Sequence, residues 1–310
     1  MALPRLSPSA YQRITFLALV ALGFIVVTGG AVRLTGSGLG CSDWPTCEEN
    51  RLVAPFEYHA MVEFVNRTIT GIVSVAVILA VLGALVRVPR RRDLVWWSLG
   101  LVAGVIGQIV LGGITVLFEL APPFVMGHFV LSMVLIWDAV VLHHLAGGPA
   151  TPARPVVSNE VRWLGRLLVV AATLVILLGT VVTGAGPHGG DADVERLPYV
   201  VGEVARLHGI AVMLFGALTV ATLWIVRRSA TADVMRRGEV LLGVLVAQAA
   251  VGYAQYFTGV PVALVAIHIF GAVAVWIATL VFVLGLHTHP PAADDLDPAR
   301  HETRTVTVAG

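Results

Sequence analysis

Apolar residues run along this chain in long blocks, with polar and turn residues confined to the gaps. Eight blocks stand out: 14–32, 62–86, 94–118, 122–146, 163–184, 203–226, 239–259 and 261–285. A helix needs about 20 mostly apolar residues to cross the hydrocarbon layer, so each block predicts a transmembrane helix. The last two are parted by little more than Gly259-Val260-Pro261. Strands are excluded, because period-2 alternation is absent and the blocks are too long. The predicted fold class is all-α and integral to a membrane.

Composition agrees. Of 310 residues, 57% are hydrophobic and 13% charged, against about 25% charged in soluble domains. Mean hydropathy is +0.87. Water cannot be the solvent of such a chain, which excludes a soluble enzyme, a disordered protein and a disulfide-rich secreted domain. A net charge of only +1 argues against a nucleic-acid partner; membrane lipid is the expected surrounding. The first block spans the bilayer and is followed by further spans, so it reads as a helix and not as a cleaved leader.

The arginines orient the spans. With the N-terminus inside, the inner segments hold Arg5, Arg13, Arg87, Arg90–Arg92, Arg154, Arg162, Arg166, Arg227, Arg228, Arg236, Arg237, Arg300 and Arg304. The outer loops hold Arg33, Arg51 and Arg196, with acids that include Asp43, Glu48, Glu49, Glu57, Glu119 and Asp191. Both termini are therefore expected in the cytoplasm of a multi-pass cell-membrane protein. Residues 288–310, polar and carrying Pro290-Pro291, read as a disordered cytoplasmic tail.

The two halves repeat. Gln108, Gly112 and His128 recur as Gln248, Gly252 and His268, with the same spacings. Val26-Val27-Thr28-Gly29 recurs as Val181-Val182-Thr183-Gly184. Four spans per copy is an even number, so both copies share one orientation, a parallel repeat. The expected architecture is two four-helix bundles related by a pseudo-two-fold axis along the membrane normal. Residues 1–150 form the N-terminal half and 151–287 the C-terminal half.

Ionisable residues at membrane depth are costly and mark function. The candidates are Glu63, Arg67, His128, Asp138, Glu203, Arg206, His208 and His268. His128 lies five residues past Pro123, about 7.5 Å along a helix, and His268 seven past Pro261, about 10 Å. With His208, Glu63 and Asn66 near the starts of their spans, the set gathers in one layer of the outer half. Two His on facing helices at one depth is how a bundle holds a haem iron; bonds from each ring to a neighbouring carbonyl are the plainer alternative. Zinc fits less well, since a third ligand is missing at that depth.

The copies differ where it matters. Asn66 stands where His208 stands, so the N-terminal pocket has one strong iron ligand and the C-terminal pocket two. That asymmetry suggests a permanent haem in the second half and chemistry in the first. Glu63, three residues before Asn66, is the candidate for proton transfer or charge stabilisation; an ion pair with Arg67 at i+4 is the alternative, and the two are compatible. Arg67 and Arg206 are candidates to pair with haem propionates. Cys41 and Cys47 share the first outer loop, on the oxidising side, where five intervening residues permit a bridge that is either a staple or a redox pair. His188 in the loop after span five is ranked first as a turn residue, with closure over a haem edge as the alternative, and Asp138 is assigned no role.

These residues resemble a known family. Thr28-Gly29-Gly30-Ala31-Val32-Arg33-Leu34-Thr35-Gly36-Ser37-Gly38-Leu39, followed by Cys41, Asp43-Trp44-Pro45 and Cys47, is similar to the first loop of the haem A synthases. Thr183-Gly184-Ala185-Gly186-Pro187-His188-Gly189-Gly190-Asp191, Arg206-Leu207-His208 and His268 resemble their second half. Glu63-Phe64-Val65-Asn66-Arg67 resembles the family's Glu-x-x-His-Arg element with Asn for His, in the manner of an actinobacterial version. The likeness covers about 14–285.

The resemblance implies an eight-helix oxidoreductase that converts a methyl group of haem O to the formyl group of haem A, for cytochrome oxidase. By position, Glu63 becomes the catalytic carboxylate and His128 the substrate-haem ligand, with Asn66 and Arg67 beside it. His208 and His268 become ligands of a haem b, and Cys41 and Cys47 the family's outer-loop pair. The Asn66 departure points to a five-coordinate substrate iron; His59, read as lying in the loop before span two, is a weaker second ligand. Haem O synthase is an expected donor of substrate, the electron acceptor is unassigned, and a homo-oligomer is compatible. The alternative is a bis-His cytochrome b that only carries electrons or haem.

Overall fold

The computed structural model describes residues 5–48, 53–228 and 231–290. Arg51, Glu49 and most of the expected tail, 291–310, lie outside them. Eight long helices fill the described chain: α1 (Pro8–Leu34), α2 (Tyr58–Val86), α3 (Arg92–Leu117), α4 (Pro122–Gly147), α5 (Asn159–Ala185), α6 (Val201–Val226), α7 (Ala232–Phe257) and α8 (Val262–Leu284). Each is long and apolar enough to cross a membrane. At 1.5 Å per residue a 26-residue helix reaches about 39 Å, more than the roughly 30 Å of hydrocarbon. Several helices outrun their apolar blocks: α1 begins at Pro8 and α2 at Tyr58.

Local chemistry sets several ends. Ser7, Ser158 and Thr231 cap α1, α5 and α7, each side chain accepting a backbone N–H of the first turn, as N-caps do. Pro122 opens α4 and Pro261 precedes α8. Gly259 and Val260 turn the chain there through positive φ, so the thin gap between the last two blocks is a true reversal.

Within the first half α1 packs on α2 and α4, and α3 on α2 and α4; in the second, α5 packs on α6 and α8, and α7 on α6 and α8. The halves meet through α1·α8, α4·α5 and α4·α8. Exchanging the copies turns α1·α8 into α5·α4 and leaves α4·α8 unchanged, the contact pattern a pseudo-two-fold axis produces. The buried core lies along that seam, with Ile136, Leu142, Phe282 and Leu286 among its members, and the Trp276 indole N–H donates to the Met133 carbonyl across it at 2.9 Å. Large apolar side chains such as Phe24, Trp96, Leu174 and Met213 point outward instead, as suits a surface that lipid covers.

At the end that carries the termini the linker before α5 is tied to the chain that leaves α8. Two-residue strands, β1 (Arg154–Pro155) and β2 (His287–Thr288), pair antiparallel, and the Thr151 carbonyl lies 2.6 Å from His289 Nδ1. Residues 288–290, assigned to the tail from their polarity, are thus ordered: backbone pairing to the linker holds them, which composition does not reveal.

Candidate functional site

The opposite end carries the polar set, and its organising element is the loop after α1. Thr35 caps α1 by returning its hydroxyl to the Ala31 and Val32 carbonyls, and Gly36 turns the chain through positive φ. Cys41 and Cys47 are joined by a disulfide, 0% and 2% exposed. Ser37 Oγ sits 2.9 Å from His59 Nδ1, and Gly40 passes so close to the His59 carbonyl that a side chain there has no room.

Glu63, 6% exposed, lies under this loop. Its Oε2 accepts the Cys41 N–H at 2.8 Å. Its Oε1 accepts from Arg67 Nη2 at 2.6 Å and Nε at 3.1 Å. The expected i,i+4 ion pair is therefore present. Arg67 Nη1 donates to the carbonyls of Thr46 at 2.9 Å, Asp43 at 3.1 Å and Pro45 at 3.4 Å. One guanidinium thus binds the carboxylate and the disulfide loop together, using the geometry of its fork. All three of its nitrogens are engaged here. Trp44 completes the clamp: Arg67 lies 5.2 Å from its ring centroid, and its indole presses against Gly113 of α3, where any Cβ would collide.

The imidazoles sit in matched frames. Gln108 Nε2 donates to the His128 carbonyl at 3.1 Å, and Gln248 Nε2 to the His268 carbonyl at 2.8 Å. The His128 ring lies against Gly112 and the His268 ring against Gly252. His208, on α6, lies against Gly179 of α5 and faces His268 with ring centroids 6.5 Å apart. The Nδ1 atoms of His128, His208 and His268 are buried with no hydrogen-bond partner, as is Asn66 Oδ1. His208 also has the Val175 backbone of α5 as a hydrogen-bond partner, so for that ring a bond to a neighbouring helix stands beside the haem reading. Two imidazoles brought together between helices of one bundle fit a haem iron. Among the described residues no cluster of three or more His, Cys, Asp or Glu is disposed to hold a metal ion by itself.

Other expectations find their places. Arg206 and Glu203 are exposed, and Arg206 makes no ion pair or hydrogen bond among the described residues. His188 adopts positive φ, with Nε2 3.0 Å from the Val260 carbonyl, so its role is to join two turns. His59 belongs to the first turn of α2, not to the preceding loop, because α2 starts earlier than its apolar block, and Ser37 occupies its Nδ1. Asp138, 9% exposed, lies beside Gly100 with Oδ1 unpartnered. Two residues acquire unforeseen roles: Trp44, and Arg33, whose Nη2 reaches the Thr183 carbonyl of the other half at 3.2 Å. The Gly38 N–H, likewise, donates to the Gly190 carbonyl at 2.8 Å.

Fold and site together define a multi-pass membrane protein of two duplicated four-helix halves, each presenting imidazole at one level. Residues 12–55 and 51–188 match the model of the COX15-CtaA family, described as cytochrome oxidase assembly protein. The chain belongs to that family. It is 26% identical to heme A synthase of Halalkalibacterium halodurans over 87% of this chain and 92% of the relative. It is 28% identical to heme A synthase of Caulobacter sp. strain K31 over 85% of this chain and 92% of the relative.

Proposed function

We infer that this protein is a haem A synthase, a membrane oxidoreductase that converts the methyl group of haem O to the formyl group of haem A for cytochrome oxidase. The observation that carries the reading is the asymmetry inside the repeat. The second half sets two imidazoles edge to face, each with an unpartnered Nδ1, whereas the first sets one, with an amide at Asn66 and a held carboxylate at Glu63. A pure electron carrier calls for two equal sites; a catalyst calls for one site that differs.

His208 and His268 would hold a resident haem b, and His128 would hold the iron of haem O. A bound haem supplies the redox capacity that no side chain of this set has. The chain supplies position and proton handling. Glu63 is fixed in position by the Cys41 N–H and Arg67, which orients it for a reacting group; to take a proton, one of its oxygens gives up a held donor. The disulfide, Trp44 and Arg67 keep the loop closed over this carboxylate. Arg206, free and exposed, is the propionate partner, since Arg67 is committed elsewhere. The disulfide end faces outward and the termini lie in the cytoplasm of the cell membrane, with haem O delivered by its own synthase.

The experiment is haem extraction and chromatography from cells that make haem O, with and without this protein. Haem A forming only in its presence is expected; its absence from both overturns the synthase reading.

A further inference from the structure

Beside Asn66 the seam between α1 and α2 opens into a groove of about 360 Å³. Its walls are apolar: Ala31 and Val32 come from α1, and Met61, Val62, Val65 and Ile69 from α2. Three side chains in this wall carry polar groups, Tyr58 at the start of α2, Thr28 and Asn66. Thr28 spends its hydroxyl on the Ile25 carbonyl. Asn66 spends nothing, and its Oδ1 is buried without a donor. A buried acceptor left unpaired costs about 1–3 kcal/mol, so a ligand that donates there is favoured. The counterpart seam in the second half is closed differently, by the His208 ring lying on Gly179.

We propose that the α1–α2 groove binds the isoprenoid tail of the substrate haem, with the Asn66 amide receiving the hydroxyl at the base of that tail. This rests on the function inferred above. Haem O differs from haem B in carrying, in place of a vinyl group, a hydroxyl-bearing carbon followed by a long apolar chain. The groove offers the same order, one hydrogen-bonding amide and then an apolar trough. A phospholipid acyl chain, the other apolar occupant within reach, has no donor for Asn66. Glu63 stands one helical turn from Asn66 on α2, so a tail held here keeps the macrocycle next to the carboxylate. Asn66 then selects substrate where His208 binds iron, which accounts for the difference between the copies.

The test measures the relative affinity of haem O and haem B for purified protein already holding its resident haem, by competition and extraction. The wild type is expected to favour haem O. Val62→Trp, which fills the trough, should lower haem O affinity by about tenfold, as losing contacts of two or so methylenes implies, and leave haem B affinity unchanged. Asn66→Ala should lower haem O affinity by about fivefold with haem B again unaffected. An unaltered haem O to haem B ratio in both variants overturns the proposal, as does a parallel loss of both haems. A wild type without preference overturns it too. Haem A output of the wild type in cells then tells whether the tail site alone has failed or the synthase reading with it.

Discussion

Arg67 decides more than its position in the sequence announces. Five hydrogen bonds cannot be read from an Arg four residues past a Glu, yet its guanidinium meets both the carboxylate and three loop carbonyls. Its side chain is 17% exposed and that of Glu63 7%. Removing one member of a buried pair strands the other and costs about 3 kcal/mol or more. Arg67→Ala should therefore lower the melting temperature of the purified protein, and Arg67→Lys should rescue only part of it, because an ammonium cannot span the fork. Full recovery by Lys would reduce the clamp to simple charge. A second residue-scale outcome concerns the imidazoles. His208→Ala or His268→Ala should each abolish a low-spin bis-His haem spectrum, while Glu63→Gln should keep that spectrum and stop haem A formation. Retention of the spectrum in both His variants would remove the ligand assignment.

At the scale of elements, the disulfide loop is the part most dependent on non-local contacts. Closing a loop this short contributes about 2 kcal/mol in the chain-entropy view, and both sulfurs are shielded. Cys41 and Cys47 should resist alkylation in native membranes and label only after reduction; immediate labelling of both would exclude the bridge. The β1–β2 pair yields a pH prediction. Burial, then the charges of Arg162 and Arg166, push the His287 imidazole below its usual value, which is about 6.5. The undocked strand therefore binds a proton at a pH where the docked one does not. Docking should be at full strength above about pH 6.5 and weaken as pH falls below it, seen as a lower protection factor (exchange relative to the intrinsic rate at each pH) for the Val156 N–H that donates to the Leu286 carbonyl. Equal protection at acid and neutral pH would show that the ring does not titrate against docking. The eight helices and the Gln–Gly–His frame are legible in sequence because each is a spacing within a block. Trp44 on Gly113, Arg33 on Thr183 and the strand at 287–288 are not, because backbone carbonyls and glycine surfaces accept partners without any residue pattern to announce it.

For the whole molecule, the seam between the halves and the orientation in the bilayer belong together. Arg33 and Gly38 bond across to the second half at the disulfide end, the Trp276 indole joins the halves elsewhere, and β1–β2 ties the linker to the end of α8 at the other end. The ties at the two ends face different compartments if the arginine distribution orients the chain. The disulfide demands the oxidising side, and the two criteria rest on different residues, so their agreement is a real constraint. A reporter phosphatase fused after residue 290 should be inactive and a fluorescent fusion at the same place bright, while a membrane-impermeant thiol reagent should reach reduced Cys41 and Cys47 from outside intact cells. An active phosphatase fusion would invert the molecule, put the disulfide in a reducing compartment and place the haem layer against the cytoplasmic face, and the proposed chemistry would then have to begin from the other leaflet.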